Sequence, residues 1–208
     1  MLKSNAKITR EKIVFTAFIQ FSLKPYEKVT YDDFVETGFS RGTILHHFKT
    51  KKAIFNAVIE FSFSTRTSIL NIPVGENDCL KNFIFDFVKS CQEAQKKMAS
   101  YGILNINRSV LNLENQAFYH YDNFEMLSKQ NQQTEIKVWH QVINKAIASN
   151  EINAAIDPEL MATIFYQTYL GHSYKAVSNK YGCDVDILRK DLMGLYEIVK
   201  YTNQVSTN

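Results

Sequence analysis

Residues Thr30–Phe48 read TYDDFVETGFSRGTILHHF, and their punctuation decides the fold. Thr30 is a good helix N-cap, and Asp32 and Asp33 place negative charge in the first turn, where the helix dipole favours it. Val29 before the cap and Phe34 beyond it have the spacing of a hydrophobic staple. Gly38 stops this short helix at about Thr37, and Ser40 caps a second helix predicted over 41–48. Two short helices across a glycine turn make a helix-turn-helix, the motif that sets its second helix in a DNA major groove.

The second helix and its sequel, SRGTILHHFKTK (40–51), hold two histidines, an arginine and two lysines. Consecutive helical side chains point about 100° apart, so His46 and His47 cannot share one metal ion. A helical metal pair needs i, i+4 spacing, and no ligand-type residue stands there. Ser40 and Thr43 have no local acid to orient a histidine for nucleophilic catalysis. Ile44 and Phe48 share one face and are expected to pack inward, which leaves Arg41, Thr43, His46 and His47 outward. Arginine can reach the two major-groove acceptors of guanine, threonine offers a hydroxyl and a methyl, and Gly42 allows close approach to a duplex. The helix N-termini at Thr30 and Thr50 present N–H groups to phosphates, with Lys51 as an added cation. A solvated polar face is the plain alternative, but it leaves the combination unaccounted for.

Outward from this motif the chain reads as helices throughout. Val14, Ala17, Phe18 and Phe21 keep helical spacing from Thr9 to Leu23, and Pro25 ends that helix. Thr50 opens a helix with Ile54, Phe55, Val58 and Ile59 inside. Asn71–Asp78, NIPVGEND, is the best linker, dividing a DNA-binding unit at 6–66 from a helical unit at 67–208. Further helices are predicted from Leu80, from about Glu125 to Ala148, from Asp157–Pro158 to about 180, and over about 184–202. Residues 98–124 carry Gly102 and several asparagines, so helices there should be short or bent. The expectation is an all-α protein of about nine helices.

Composition sets outer bounds. The 208 residues are 45% hydrophobic and 13% aromatic, ample for a packed core. No apolar run approaches the roughly 20 residues of a membrane span. Three cysteines without a CxxC pair, and an opening without a secretory apolar segment, point to reduced thiols in a cytoplasm. Net charge is +3, but residues 1–66 hold 11 Lys+Arg against 6 Asp+Glu while the remainder holds 13 against 15. The basic third is the part suited to a polyanion. No convergent set of acids, bases or metal ligands suggests an enzyme, and no cofactor is implied. Rival readings are a DNA-binding architectural protein without effector control and, less favoured, an all-α small-molecule-binding enzyme.

The segment PYEKVTYDDFVETGFSRGTILHHFKTKKAIFNAVI (25–59) resembles the signature of tetracycline-repressor-type (TetR family) regulators. Gly38, Ser40, Arg41, Gly42, Thr43, His47, Phe48 and Lys51 carry the match. The departures are Leu45 where a DNA-backbone-binding tyrosine is usual, Pro25 in place of a glycine, Asp32 at an often basic or neutral position, and a turn one residue short.

The resemblance implies a bacterial, cytoplasmic homodimer that represses from palindromic operator DNA and is released by a small lipophilic effector. Its DNA-binding set would be Thr30, Tyr31, Ser40, Arg41, Gly42 and Thr43 with His46, His47, Thr50 and Lys51. An effector pocket is expected among the aromatics Phe83, Phe87, Tyr101, Phe118 and Trp139 and the later Phe165, Tyr166 and Tyr169. His140 and His172 could orient the effector there. The last two helices would pair with their twins through Leu160, Ile164, Gly171, Tyr174 and Val177 on one. Ile187, Leu188, Leu192, Leu195 and Val199 would serve on the other.

Overall fold

A computed structural model describes residues 5–36, 38–65, 69, 72 and 79–200. Among them run nine α-helices: α1 (Asn5–Leu23), α2 (Tyr31–Val35), α3 (Arg41–His47), α4 (Lys51–Thr65), α5 (Leu80–Ala99), α6 (Ile106–His120), α7 (Phe124–Ala148), α8 (Pro158–Ala176) and α9 (Val185–Val199). A 3₁₀ turn, Tyr26–Lys28, joins α1 to α2, and an isolated bridge pairs Ile152 with Lys200. Among the described residues the fold is all-α, as the helical periodicity predicts. The predicted linker at 71–78 and Thr37 lie outside the described residues, Ile72 apart. Helices α8 and α9 stop at Ala176 and Val199, short of the predicted 180 and 202.

Caps set most helix starts. Ser40, Thr50, Asn105, Asp157 and Asp184 each accept a backbone N–H from their own first turn. The start of α5 is held from a distance: the Glu151 carboxylate accepts from the N–H groups of Leu80 at 2.7 Å and Lys81 at 3.0 Å. Gly38 takes φ +100° between α2 and α3, a conformation that costs a residue with a Cβ.

Two apolar clusters form the core. One gathers Ile13, Val14, Phe18, Phe21, Phe34, Ile44, Phe55 and Val58 from α1–α4. It also takes Ile103 before α6, Leu113 and Ala117 of α6 and Phe124 at the start of α7, so the first four helices share their core with α6. The second cluster packs α5, α7, α8 and α9 around Trp139, with Phe83 and Phe87 edge-on to the indole and Phe165 stacked on it at 5.1 Å. Helix α6 therefore belongs to both halves. Its N-terminus is fastened to the end of α8, where Asn105 Nδ2 donates to the carbonyls of Ala176 and Asn179. Arg108 Nε donates to the carbonyl of Val177. At its other end Gln116 donates to the Phe21 carbonyl of α1.

Candidate DNA interface and internal cavity

Helix α3 is held by two buried side chains, Ile44 at 0% and Phe48 at 3% exposure. Arg41, Gly42, Leu45 and His46 are exposed, with Thr43 and His47 half-buried beside them. The Arg41 guanidinium lies 5.6 Å from the centre of the Tyr31 ring, so α2 steadies the arginine by a cation–π contact. Ser40 Oγ accepts the Thr43 N–H and lies 2.8 Å from the Thr43 hydroxyl. A Cβ added at Gly42 would meet nothing nearer than Ser40 Oγ at 3.9 Å, so the backbone there is open to a close neighbour. The His46 and His47 rings diverge edge-on, at 80°.

Two expected phosphate ligands, Lys51 and the exposed Thr30, are engaged by the protein's own groups. Lys51 Nζ donates to the carbonyls of Tyr26 and Val29 at 2.9 and 3.1 Å and sits over the Tyr26 ring. It therefore braces the turn before α2 rather than reaching outward. The Thr30 N–H and hydroxyl both donate to Asp33, so the α2 N-terminus is served by the protein's own carboxylate. Lys24 and then Thr30 hold the Asp33 carboxyl below its ordinary range. Thr50 likewise uses its hydroxyl to cap α4, accepting the Ala53 N–H.

Residues 13–58 match the family model of bacterial regulatory proteins, tetR family. That match marks residues 13–58 as a tetR-type segment. Among curated proteins none matches. Solved structures share the tetR-family fold over nearly the whole chain. Salmonella enterica GusR is 19% identical with a TM-score of 0.62, covering 94% of this chain and 98% of its own. A TetR-family transcriptional regulator from Cytophaga hutchinsonii is 15% identical at TM-score 0.66, covering 98% and 100%. A protein from Saccharomonospora viridis crystallised in complex with choline is 18% identical at TM-score 0.67, covering 94% and 100%. The chain thus shares the fold of these regulators from end to end, with a tetR-type segment at residues 13–58.

Beyond the matched segment a cavity of about 330 Å³ opens among α5, α6, α7 and α8. Of the aromatics expected to line a pocket, Phe87, Tyr166 and Tyr169 do so. Phe83, Trp139 and Phe165 form the core behind it, at 2% exposure or less. The other two aromatics and both histidines are elsewhere. Tyr101 sits edge-on to Phe15 of α1, and Phe118 packs on Phe124 in a separate surface groove. His140 pairs with Asn144 one turn along α7, and His172 ties α8 to Asp191 of α9 at 2.8 Å. Their spacing gave no sign of direction, because aromatic residues serve core and surface alike.

The lining also contains residues that sequence reasoning passed over: Glu114 and Val110 of α6, Glu135 of α7 and Ser173 of α8. One signal was there to read. Glu135 precedes Trp139 and Val142 by four and seven residues, which places a carboxylate on the inward stripe of α7.

The expected pairing face needs correction too. Leu188 and Leu192 are fully buried and Val199 is 5% exposed, all within the monomer's own core, and Leu195 packs against it. Val177 and Tyr174 line the cavity, although Tyr174 stays largely exposed. The apolar side chains left outside are Leu160 of α8 and Ile187 and Ile198 of α9, with half-buried Ile164. Gly171 and Gly194 lie on the same stripes, each with open space where a Cβ would stand.

Proposed function

We propose that the protein is a homodimeric repressor that binds palindromic operator DNA through α3 and leaves it when a small molecule fills the cavity. The observation that carries this reading is the outward face of α3, where Arg41, Gly42, Thr43, His46 and His47 are presented by a helix pinned through Ile44 and Phe48. Tyr31 and the α4 cap Thr50 flank that face, while Ser40 shapes its first turn. A single such helix reads too few base pairs to select a site, so two copies are required. Leu160, Ile164 and Gly171 on α8, with Ile187, Gly194 and Ile198 on α9, supply an apolar face for the second copy.

Effector control is supported by the course of α6. It lines the cavity from Ile106 to Glu114, and its last residue meets the DNA-binding helices. There His120 stacks on Tyr26 at 3.9 Å and lies 3.0 Å from the Glu27 carboxylate. A ligand that favours one setting of α6 changes the setting of the α1–α4 unit, and operator affinity falls by its differential affinity for the two states. The Saccharomonospora viridis structure with choline supports a fold able to hold a small molecule.

The test is selection of bound fragments from genomic DNA, followed by titration of the selected site at several salt concentrations. Arg41→Ala should weaken specific binding by about 1–3 kcal/mol and relax base preference, while random-sequence binding changes little. Equal losses on both would reduce Arg41 to a phosphate contact, and a wild-type protein without sequence preference would end the operator reading.

A further inference from the structure

We propose that Leu45 of α3 reads the 5-methyl group of a thymine in the major groove, a base-specific contact beside that of Arg41. This rests on the reading of α3 as the helix that enters the DNA, and it names a base feature that the helix recognises. Leu45 is 37% exposed and is not one of the described side chains that pack on the core of α1–α4. Its neighbour Ile44 is fully buried and Phe48 nearly so, which pins α3 without help from Leu45. The fold therefore leaves the apolar surface of this leucine unused.

Position on the helix decides what that surface can meet. At about 100° per residue, Leu45 lies about 40° round the axis from Arg41 and about 60° from Gly42, between the two. Arg41, Gly42 and His46 around it are exposed as well. A Cβ added at Gly42 would meet nothing nearer than Ser40 Oγ at 3.9 Å, so the helix surface beside Leu45 is low and open. A base-pair edge can approach closely there and come within contact of the leucine methyls. Leucine has no hydrogen-bonding atom, so it can hold neither a phosphate nor the donors and acceptors of a base. The apolar feature of the major groove is the thymine methyl. Burying one methyl-sized group against Leu45 corresponds to about a four-fold gain in affinity per half-site. A rise of about 1.5 Å per helical residue sets Leu45 about 6 Å beyond Arg41, and base pairs stack about 3.4 Å apart. The thymine should then lie no more than about three base pairs from the position that Arg41 reads.

The experiment uses the full chain and the site selected from genomic DNA. Each thymine is replaced in turn by deoxyuridine, which removes the 5-methyl and keeps the pairing groups, and affinity is read by fluorescence anisotropy. At one position within that span wild-type binding should fall about four-fold, and about fifteen-fold when both half-sites are changed. Leu45→Ala should bind the thymine site more weakly, show no further loss with deoxyuridine there, and keep random-sequence affinity within about two-fold. Leu45→Met, which retains an apolar side chain, should retain the methyl dependence. The scan on wild-type protein needs no variant, so it decides the matter even if a variant misfolds. A site at which no thymine methyl matters overturns the proposal. So does a Leu45→Ala protein that keeps the full methyl penalty, or one that loses selected and random DNA equally. A flat scan with Arg41→Ala still relaxing base preference sinks the Leu45 assignment alone, whereas a wild-type protein without sequence preference ends both readings.

Discussion

Lys51 shows how a side chain's neighbours reassign its role. A lysine in the first turn of α4 reads as a phosphate ligand, yet its ammonium is engaged by two carbonyls and an aromatic face of the preceding turn. Lys51→Met keeps the alkyl stem and removes the donors. It should lower stability by about 1–3 kcal/mol in urea unfolding. The salt slope of DNA binding should stay unchanged, where loss of a true phosphate contact would flatten it by about one. The thiols allow a second prediction. Burial pushes Cys91 up to about 12 and Cys183 up to about 11, while Cys79 is only half-buried. A thiol whose pKa is raised by folding adds no pH dependence below its ordinary value near 9, where both states hold the proton. Above it the unfolded chain ionises first, so stability should fall between about pH 9 and 12, and Cys91→Ala should soften that fall. In native protein at pH 8 a thiol reagent should modify Cys79 first and reach the other two only on unfolding.

At the scale of elements, α6 is the helix whose position matters most and whose sequence announces least. Its two ends are fixed by Asn105 and Arg108 against α8 and by Gln116 and His120 against α1 and the Tyr26–Lys28 turn. His120→Ala removes the stacking on Tyr26 and the contact with Glu27 without touching the cavity wall. Ligand affinity should stay within about two-fold, whereas the ligand's effect on operator affinity should shrink by much of a typical coupling of about 1–3 kcal/mol. Parallel calorimetry and DNA titration would measure both. What was legible in the sequence was local: caps at Ser40, Asp157 and Thr50, the stop at Gly38 and the inward pair Ile44 and Phe48. Helical periodicity says which residues share a face but not which neighbour that face meets. Hence Leu188 and Leu192 read equally well as a dimer seam or as core, and the structure buries both. Glu151 at the head of α5 could not be foreseen, since 71 residues separate it from the N–H of Leu80.

The whole molecule presents α3 on one side and, on α8 and α9, an apolar surface that its own core does not use. Leu160 is 56% and Ile198 is 80% exposed, and each lies on a stripe with an open glycine, Gly171 or Gly194. Under the proposed pairing these apolar side chains, aligned on two adjacent helices, are the surface a second copy would cover. In a two-fold pairing each residue occurs twice, so one substitution alters two places in the interface. Fully burying an isoleucine or leucine contributes about 1.5–3 kcal/mol, and a buried unpaired carboxylate costs more. Leu160→Glu or Ile198→Glu should therefore weaken dimerisation by about 3 kcal/mol or more, beyond a hundred-fold. Sedimentation at micromolar concentration should then find monomers, with the helical circular dichroism retained because neither side chain belongs to the core. Operator affinity should fall with the dimer while binding to a single half-site persists. If both variants stay dimeric, the second copy docks on some other surface, and the spacing between the two α3 helices must be derived from that surface.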